Sequence, residues 1–223
     1  MKSITIMAMA SALLAAPLAS AGPIFSFTGV TDNNAINVAA GEAQLSVQVN
    51  EISASQVEFR FFNNGPAASS ITDVYFDDGT LLGIASHTGS AGVSFTTGSA
   101  SPGNLPGGNA INFNTSAGFL ADSDAPAQPN GVNPGEWLSI VFNLINGHNF
   151  ASTLAAMDLS LANPGVDVFG GLRVGIHVQG FADGGSEAFV NSRPPTQVPE
   201  PVSLALLGIG LAGLGAMRRR RTT

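Results

Sequence analysis

Three histidines, fifteen acidic residues and no cysteine bound the chemistry open to this chain. His87, His148 and His177 are widely separated. No two stand at the i, i+4 spacing that puts two imidazoles on one helix face, and no H-E-x-x-H occurs. The G-x-S-x-G turn that presents a hydrolase serine is also missing. Without a thiol, thiolate nucleophiles, cysteine zinc sites and disulfides are excluded. Carboxylate pairs remain: Asp77 with Asp78, Asp122 with Asp124, and Asp183 with Glu187. A glycosidase needs two carboxylates facing each other across a cleft, and spacing alone does not establish that. No residue is assigned a catalytic role, and the expectation is a protein that is not an enzyme.

Calcium is the one cofactor these residues suggest. Hard cations want several loop oxygens, and Asp122-Ser123-Asp124 and Asp183-Gly184-Gly185-Ser186-Glu187 read as loops. The candidate ligands are Asp122, Asp124, Asp183 and Glu187. Neither stretch follows the twelve-residue EF-hand pattern, and Asp and Gly are ordinary turn formers, which is the favoured reading. His177 falls on the polar face of a predicted strand with Arg173 and Gln179 and reads as solvated. Aromatic platforms for sugars are scarce: one tryptophan, Trp137, and one tyrosine, Tyr75, stand beside fourteen phenylalanines. Trp137 opens a strand next to a glycine-rich loop. Exposed on a flat face it favours carbohydrate binding; buried, it removes the best residue for it.

Strands must position these groups. Period-two alternation marks Ala43 to Val49, with Leu45, Val47 and Val49 on one side. It also marks Gln56 to Phe62, with Val57, Phe59 and Phe61 inward and Glu58 and Arg60 outward. The same pattern runs through Ile24 to Thr28, Ile71 to Asp77, Gly92 to Thr97, Trp137 to Leu144 and Leu172 to Gly180. Short alternating strands separated by turns such as Asn63-Asn64-Gly65-Pro66 predict an all-β fold, an antiparallel β-sandwich of jelly-roll type. One short helix is expected, Phe150 to Leu161, where Phe150, Leu154, Met157 and Leu161 recur at helical spacing; Asn149 is a weak cap for it. Ser99 to Gly135 is the longest irregular stretch, read as a surface excursion with a short pairing at Ile111 to Phe113.

The body from Gly22 to Gln197 carries only Arg60, Arg173 and Arg193 against fourteen acidic residues, a formal charge near −11. Such a surface repels phosphates, so nucleic acid and anionic lipid are not expected partners. Upstream, Lys2, the apolar run Ile4 to Ala16 and the A-x-A site Ala19-Ser20-Ala21 before Gly22 read as a secretory signal peptide over residues 1–21. Export through the Sec machinery follows. The organisation is then a body over 22–192, a stiff linker over 193–197 (Arg193-Pro194-Pro195-Thr196-Gln197), and a C-terminal segment over 198–221.

That segment reads Val198-Pro199-Glu200-Pro201, then an uncharged, glycine-rich stretch from Val202 to Met217, then Arg218, Arg219, Arg220 and Arg221. As a helix, residues 202–217 span roughly 24 Å at 1.5 Å per residue, a short transmembrane helix. The arginines belong on the cytoplasmic side and leave the body outside. The two prolines keep the preceding motif extended at the interface. This arrangement resembles the PEP-CTERM sorting signal of exported proteins of Gram-negative bacteria. The resemblance implies processing near Pro199-Glu200-Pro201 by a membrane peptidase of the exosortase type, transient anchoring, and a role at the cell surface or with extracellular polysaccharide. The body is similar to a type common among such proteins, through Ile71 to Gly79, Ala121 to Asp124, Asn133 to Glu136 and Gly175 to Phe181. That likeness implies no activity. The functional expectation is an exported structural or interaction protein. A carbohydrate-binding module, assisted by calcium, is the alternative, and a secreted hydrolase ranks below both.

Overall fold

The computed structural model describes residues 22–77 and 79–194. The signal peptide with Ala19 and Ala21, the motif Val198 to Pro201, the helix over 202–217 and Arg218 to Arg221 lie outside the described residues.

Among the described residues ten strands form one antiparallel sheet. In chain order they are β1 (Ile24–Gly29), β2 (Leu45–Ser53), β3 (Gln56–Asn63), β4 (Ser70–Asp77) and β5 (Leu81–Gly89). There follow β6 (Phe95–Thr97), β7 (Leu120–Ser123), β8 (Trp137–Leu144), β9 (Arg173–Gln179) and β10 (Ser186–Ser192). The spatial order is β5-β8-β3-β2-β1-β10-β9-β4-β7-β6. The all-β, antiparallel expectation holds. The two facing halves are continuous through β1 and β10, so the sheet curls toward a barrel. Phe76 of β4 shows this directly. Its ring meets Phe142 of β8 at 4.6 Å and Phe59 of β3 at 5.1 Å, both edge-on, although several strands separate β4 from β3 and β8 within the sheet.

The core comes from the alternation. Leu45, Val47 and Val49, then Val57, Phe59 and Phe61, then Leu138, Ile140 and Phe142 all point inward and are buried. Edge-to-face rings add specific geometry to this apolar burial. Strands β4 and β9 depart from the pattern because both their faces are covered. Val74, Phe76, Val174, Ile176 and Val178 face the core. On the other face Tyr75 packs with Leu105, Phe113, Leu120 and Ala188. The segment predicted as a surface excursion is therefore a cover. Ile111 to Phe113 does not pair as a strand; a 3₁₀ turn at Gly108–Ile111 delivers Phe113 onto the sheet. Gly175 makes room for it, since a Cβ there would lie 2.9 Å from the Leu105 methyls.

Three helices are described where one was expected. The expected one, α3 (Phe150–Ala162), starts at a capping box: Ser152 N donates to Asn149 Oδ1 and Asn149 N donates to Ser152 Oγ. Its cap is stronger than the sequence suggested. An unexpected helix, α1 (Ala35–Gln44), is capped by Asn34, whose Oδ1 accepts from Ile36 N. It takes in Ala43 and Gln44, which were assigned to the strand that begins at Leu45. The third, α2 (Ala127–Asn130), is a single turn. Of the predicted strand Gly92 to Thr97 only Phe95–Thr97 pairs. Strands β5, β7 and β10 were not foreseen.

Candidate functional site

The ionisable groups gather on the outer face of β9, β4, β7 and β6, and strand register puts them there. His177 lies opposite Asp73, Asp73 opposite Asp122, and Asp122 opposite Thr96. Residues directly opposite on adjacent strands have neighbouring side chains, so these form one polar row. Asp73 is 1% exposed. Its Oδ2 lies 3.0 Å from His177 Nδ1 and accepts from Thr72 Oγ1 at 2.8 Å, while Oδ1 has no partner among the described residues. His177 is buried in this pairing, which corrects the expectation of a solvated strand histidine. The strand pattern placed its side chain correctly on the outer face; the cover over that face is what sequence did not reveal.

Two carboxylates side by side disfavour joint ionisation. Burial raises the Asp122 carboxyl above its ordinary range, and the negative charge of Asp73 raises it further. Tyr75, beside them on β4, has its phenol pushed far above the usual value by burial, then by Asp73 and Asp122. Its hydroxyl donates to Pro102 O at 3.0 Å, which ties the cover down. Asp124 sits two residues beyond Asp122 on the same side. Hydrogen bonds from Ser94 Oγ and Thr96 Oγ1 hold its carboxyl below the ordinary range.

The calcium candidates do not converge. Asp122 stands opposite Asp73 on the neighbouring strand, and Asp124 accepts from two hydroxyls. Asp183 is exposed, whereas Glu187 is 1% exposed. Glu187 Oε2 accepts from Thr31 Oγ1 and Asn33 N, and Oε1 accepts from Asn34 N. It fastens the entry of α1 to β10. Among the described residues no three His, Asp or Glu side chains stand together as metal ligands.

A second buried charge holds the cover from the other end of β4. Arg173 pairs with Asp77 through Nε and Nη2 and donates to Ile111 O at 2.7 Å and to Asn112 O. Its guanidinium also lies 5.3 Å from the centre of the Phe113 ring. Arg173 and Asp77 were not singled out as a pair; alternation alone could have placed both at strand ends, but not opposite each other.

Trp137 is half-buried on the outer face of β8, directly opposite Phe62 of β3. It is absent from the core. Arg60 lies with its guanidinium 3.8 Å from the Trp137 ring centre and 5.9 Å from that of Phe62. Neighbouring Glu58 accepts from Ser139 Oγ and from Asn50 Nδ2. This is a polar and aromatic sheet face with one ring partly covered by its own arginine.

Chemically, the row His177–Asp73–Asp122 has the parts of a proton relay, with both His177 and Asp73 buried. No curated protein and no solved structure matches the chain. Residues 197–221 do match a family model, that of the PEP-CTERM protein-sorting motif, and the chain thus ends its β-rich body in a sorting signal.

Proposed function

We propose that this is an exported protein that serves outside the cytoplasm as a structural or interaction domain, not as an enzyme, after its C-terminal segment has been processed by an exosortase-type membrane peptidase. The observation that carries the reading is the sorting motif at residues 197–221, set five residues beyond the end of β10 at Ser192. A folded body that closes with its last strand and then leads straight into such a motif is suited to be tethered, cut and released. The buried state of His177, Asp73 and Glu187 supports a non-enzymatic body, because each is engaged in holding segments together.

Polysaccharide is the interaction partner favoured as a second reading, on one observation: Trp137 lies on an outer sheet face beside Phe62 and Arg60, not in the core. Aromatic rings with adjacent polar groups are suited to stack on sugar rings and fix their hydroxyls.

Replacing Pro199 and Pro201 together by alanine tests the sorting reading. The expected result is a body that accumulates with the inner membrane and no longer reaches the surface or medium. Unchanged distribution of the variant overturns it. For the second reading, retention of the protein on immobilised host polysaccharide should fall with Trp137→Ala; equal retention removes it.

A further inference from the structure

The body's three arginines are unevenly placed: Arg173 and Arg193 both line one crevice of about 360 Å³. Its wall is aliphatic, made by Val30, Ile111, Leu161, Pro164 and Val190, and none of its lining residues is aromatic. Its remaining polar edge includes Asn191, which is 3% exposed. Asn191 Oδ1 accepts from Val174 N at 2.7 Å, while Nδ2 has no partner among the described residues. A buried amide donor without an acceptor costs about 1–3 kcal/mol unless something enters to satisfy it. Arg173 keeps its neighbours Asp77, Ile111 O and Asn112 O. Arg193 is more than half exposed and, among the described residues, pairs with Asp158 at 3.2 Å, an ion pair loose enough to exchange.

We infer that this crevice binds a small amphipathic carboxylate: a short hydrocarbon chain along the aliphatic wall, with its anionic head between Arg193 and the Asn191 amide. Charge selects the head. The body is strongly acidic, yet two of its three arginines line this crevice together with Asn191, whose Nδ2 has no partner among the described residues. The wall selects the tail, because sugars and nucleobases stack on rings and this wall has none. The volume lies at the small end of ligand pockets, which fits a chain of roughly eight carbons.

The probe is octanoate, with 1-octanol as the same chain bearing a neutral head, measured by saturation-transfer NMR on the full-length protein. Saturable octanoate binding is expected, at least about fivefold tighter than octanol, the scale of one charge-assisted hydrogen bond. Arg193→Glu, at an exposed position that does not endanger folding, should weaken octanoate by about tenfold and leave octanol unchanged. Asn191→Leu, checked for native circular dichroism, should weaken octanoate as well. Non-saturable uptake that is equal for both probes, or octanoate binding indifferent to Arg193→Glu, overturns the site.

Discussion

Replacing Arg173 by methionine isolates the contribution of the buried charge that holds the cover to the sheet. The Arg173 and Asp77 side chains are 8% and 12% exposed, so the pair is screened little by solvent. Methionine keeps much of the side-chain length but removes both bonds to Asp77 and those to Ile111 O and Asn112 O. Among the described residues Asp77 then keeps the bond from Asn114 N at 3.2 Å, in a site built for a cation. Breaking a buried pair by removing one partner typically costs about 3–5 kcal/mol. For a body of this size each kcal/mol lowers Tm by about 2–4 °C, so the expected fall is roughly 6–20 °C. Urea unfolding read by Trp137 fluorescence measures the free energy, and hydrogen exchange reads the cover separately. Amides of residues 104–116 should lose protection before those of β3 and β8. Adding Asp77→Asn to Arg173→Met should recover part of the loss, because it removes the stranded charge. A loss below about 1 kcal/mol, the range of an exposed pair, refutes the view that this charge fastens the cover.

Three further outcomes follow from the same contacts. Asp122 has its carboxyl raised by burial and by Asp73, so its contribution to stability is fully present below the ordinary carboxylate range and is lost as pH rises through its folded value. Asp122→Asn should accordingly be more stable than the parent at neutral pH and indistinguishable from it in acid, as read by urea titrations at several pH values; a gap that widens in acid contradicts the assigned sign. Glu187→Leu leaves Thr31 Oγ1, Asn33 N and Asn34 N without their shared acceptor and should cost at least about 2 kcal/mol, with exchange fastest in residues 31–44; a neutral effect rules out its fastening role. Gly41→Ala places a Cβ 2.2 Å from Phe189 Cζ and should destabilise by about 1–3 kcal/mol despite alanine's better helix propensity; a gain in stability would mean that α1 does not pack on β10 as described.

Strands with one wet face were legible in the sequence. β3 alternates cleanly because its outer side is only half-buried while the phenylalanine core holds the other; β8 alternates in sequence, with Ser139 buried on its outer side, and both predicted ranges match closely. β10 was not legible because Glu187 and Asn191 share the inward side with Phe189 and break the apolar rhythm. Their polarity is answered by groups distant in sequence: Thr31, Asn33 and Asn34 for Glu187, and Val174 N for Asn191. β5 is interrupted by two register shifts against β8, which scramble a period-two count. The α1 helix had a readable start in Asn34, but its glycine and run of small residues gave no apolar stripe. His177 shows the limit most clearly. Sequence supplied the side of the strand; only the fold supplied Asp73 opposite it and a cover anchored by Tyr75 and Arg173. The sorting motif needed no tertiary context, since it is a contiguous stretch of sequence, and residues 198–221 of the 197–221 match were readable directly.

The central claim is that residues 197–221 direct export-linked sorting of the body. Intact-mass and C-terminal peptide spectrometry of the protein from cell envelope and from medium tests it most directly. Sorting predicts a surface or released form whose C-terminus lies within Val198 to Pro201, or carries an added group there. A surface or released form that still ends in Arg218 to Arg221 and the two threonines would contradict it.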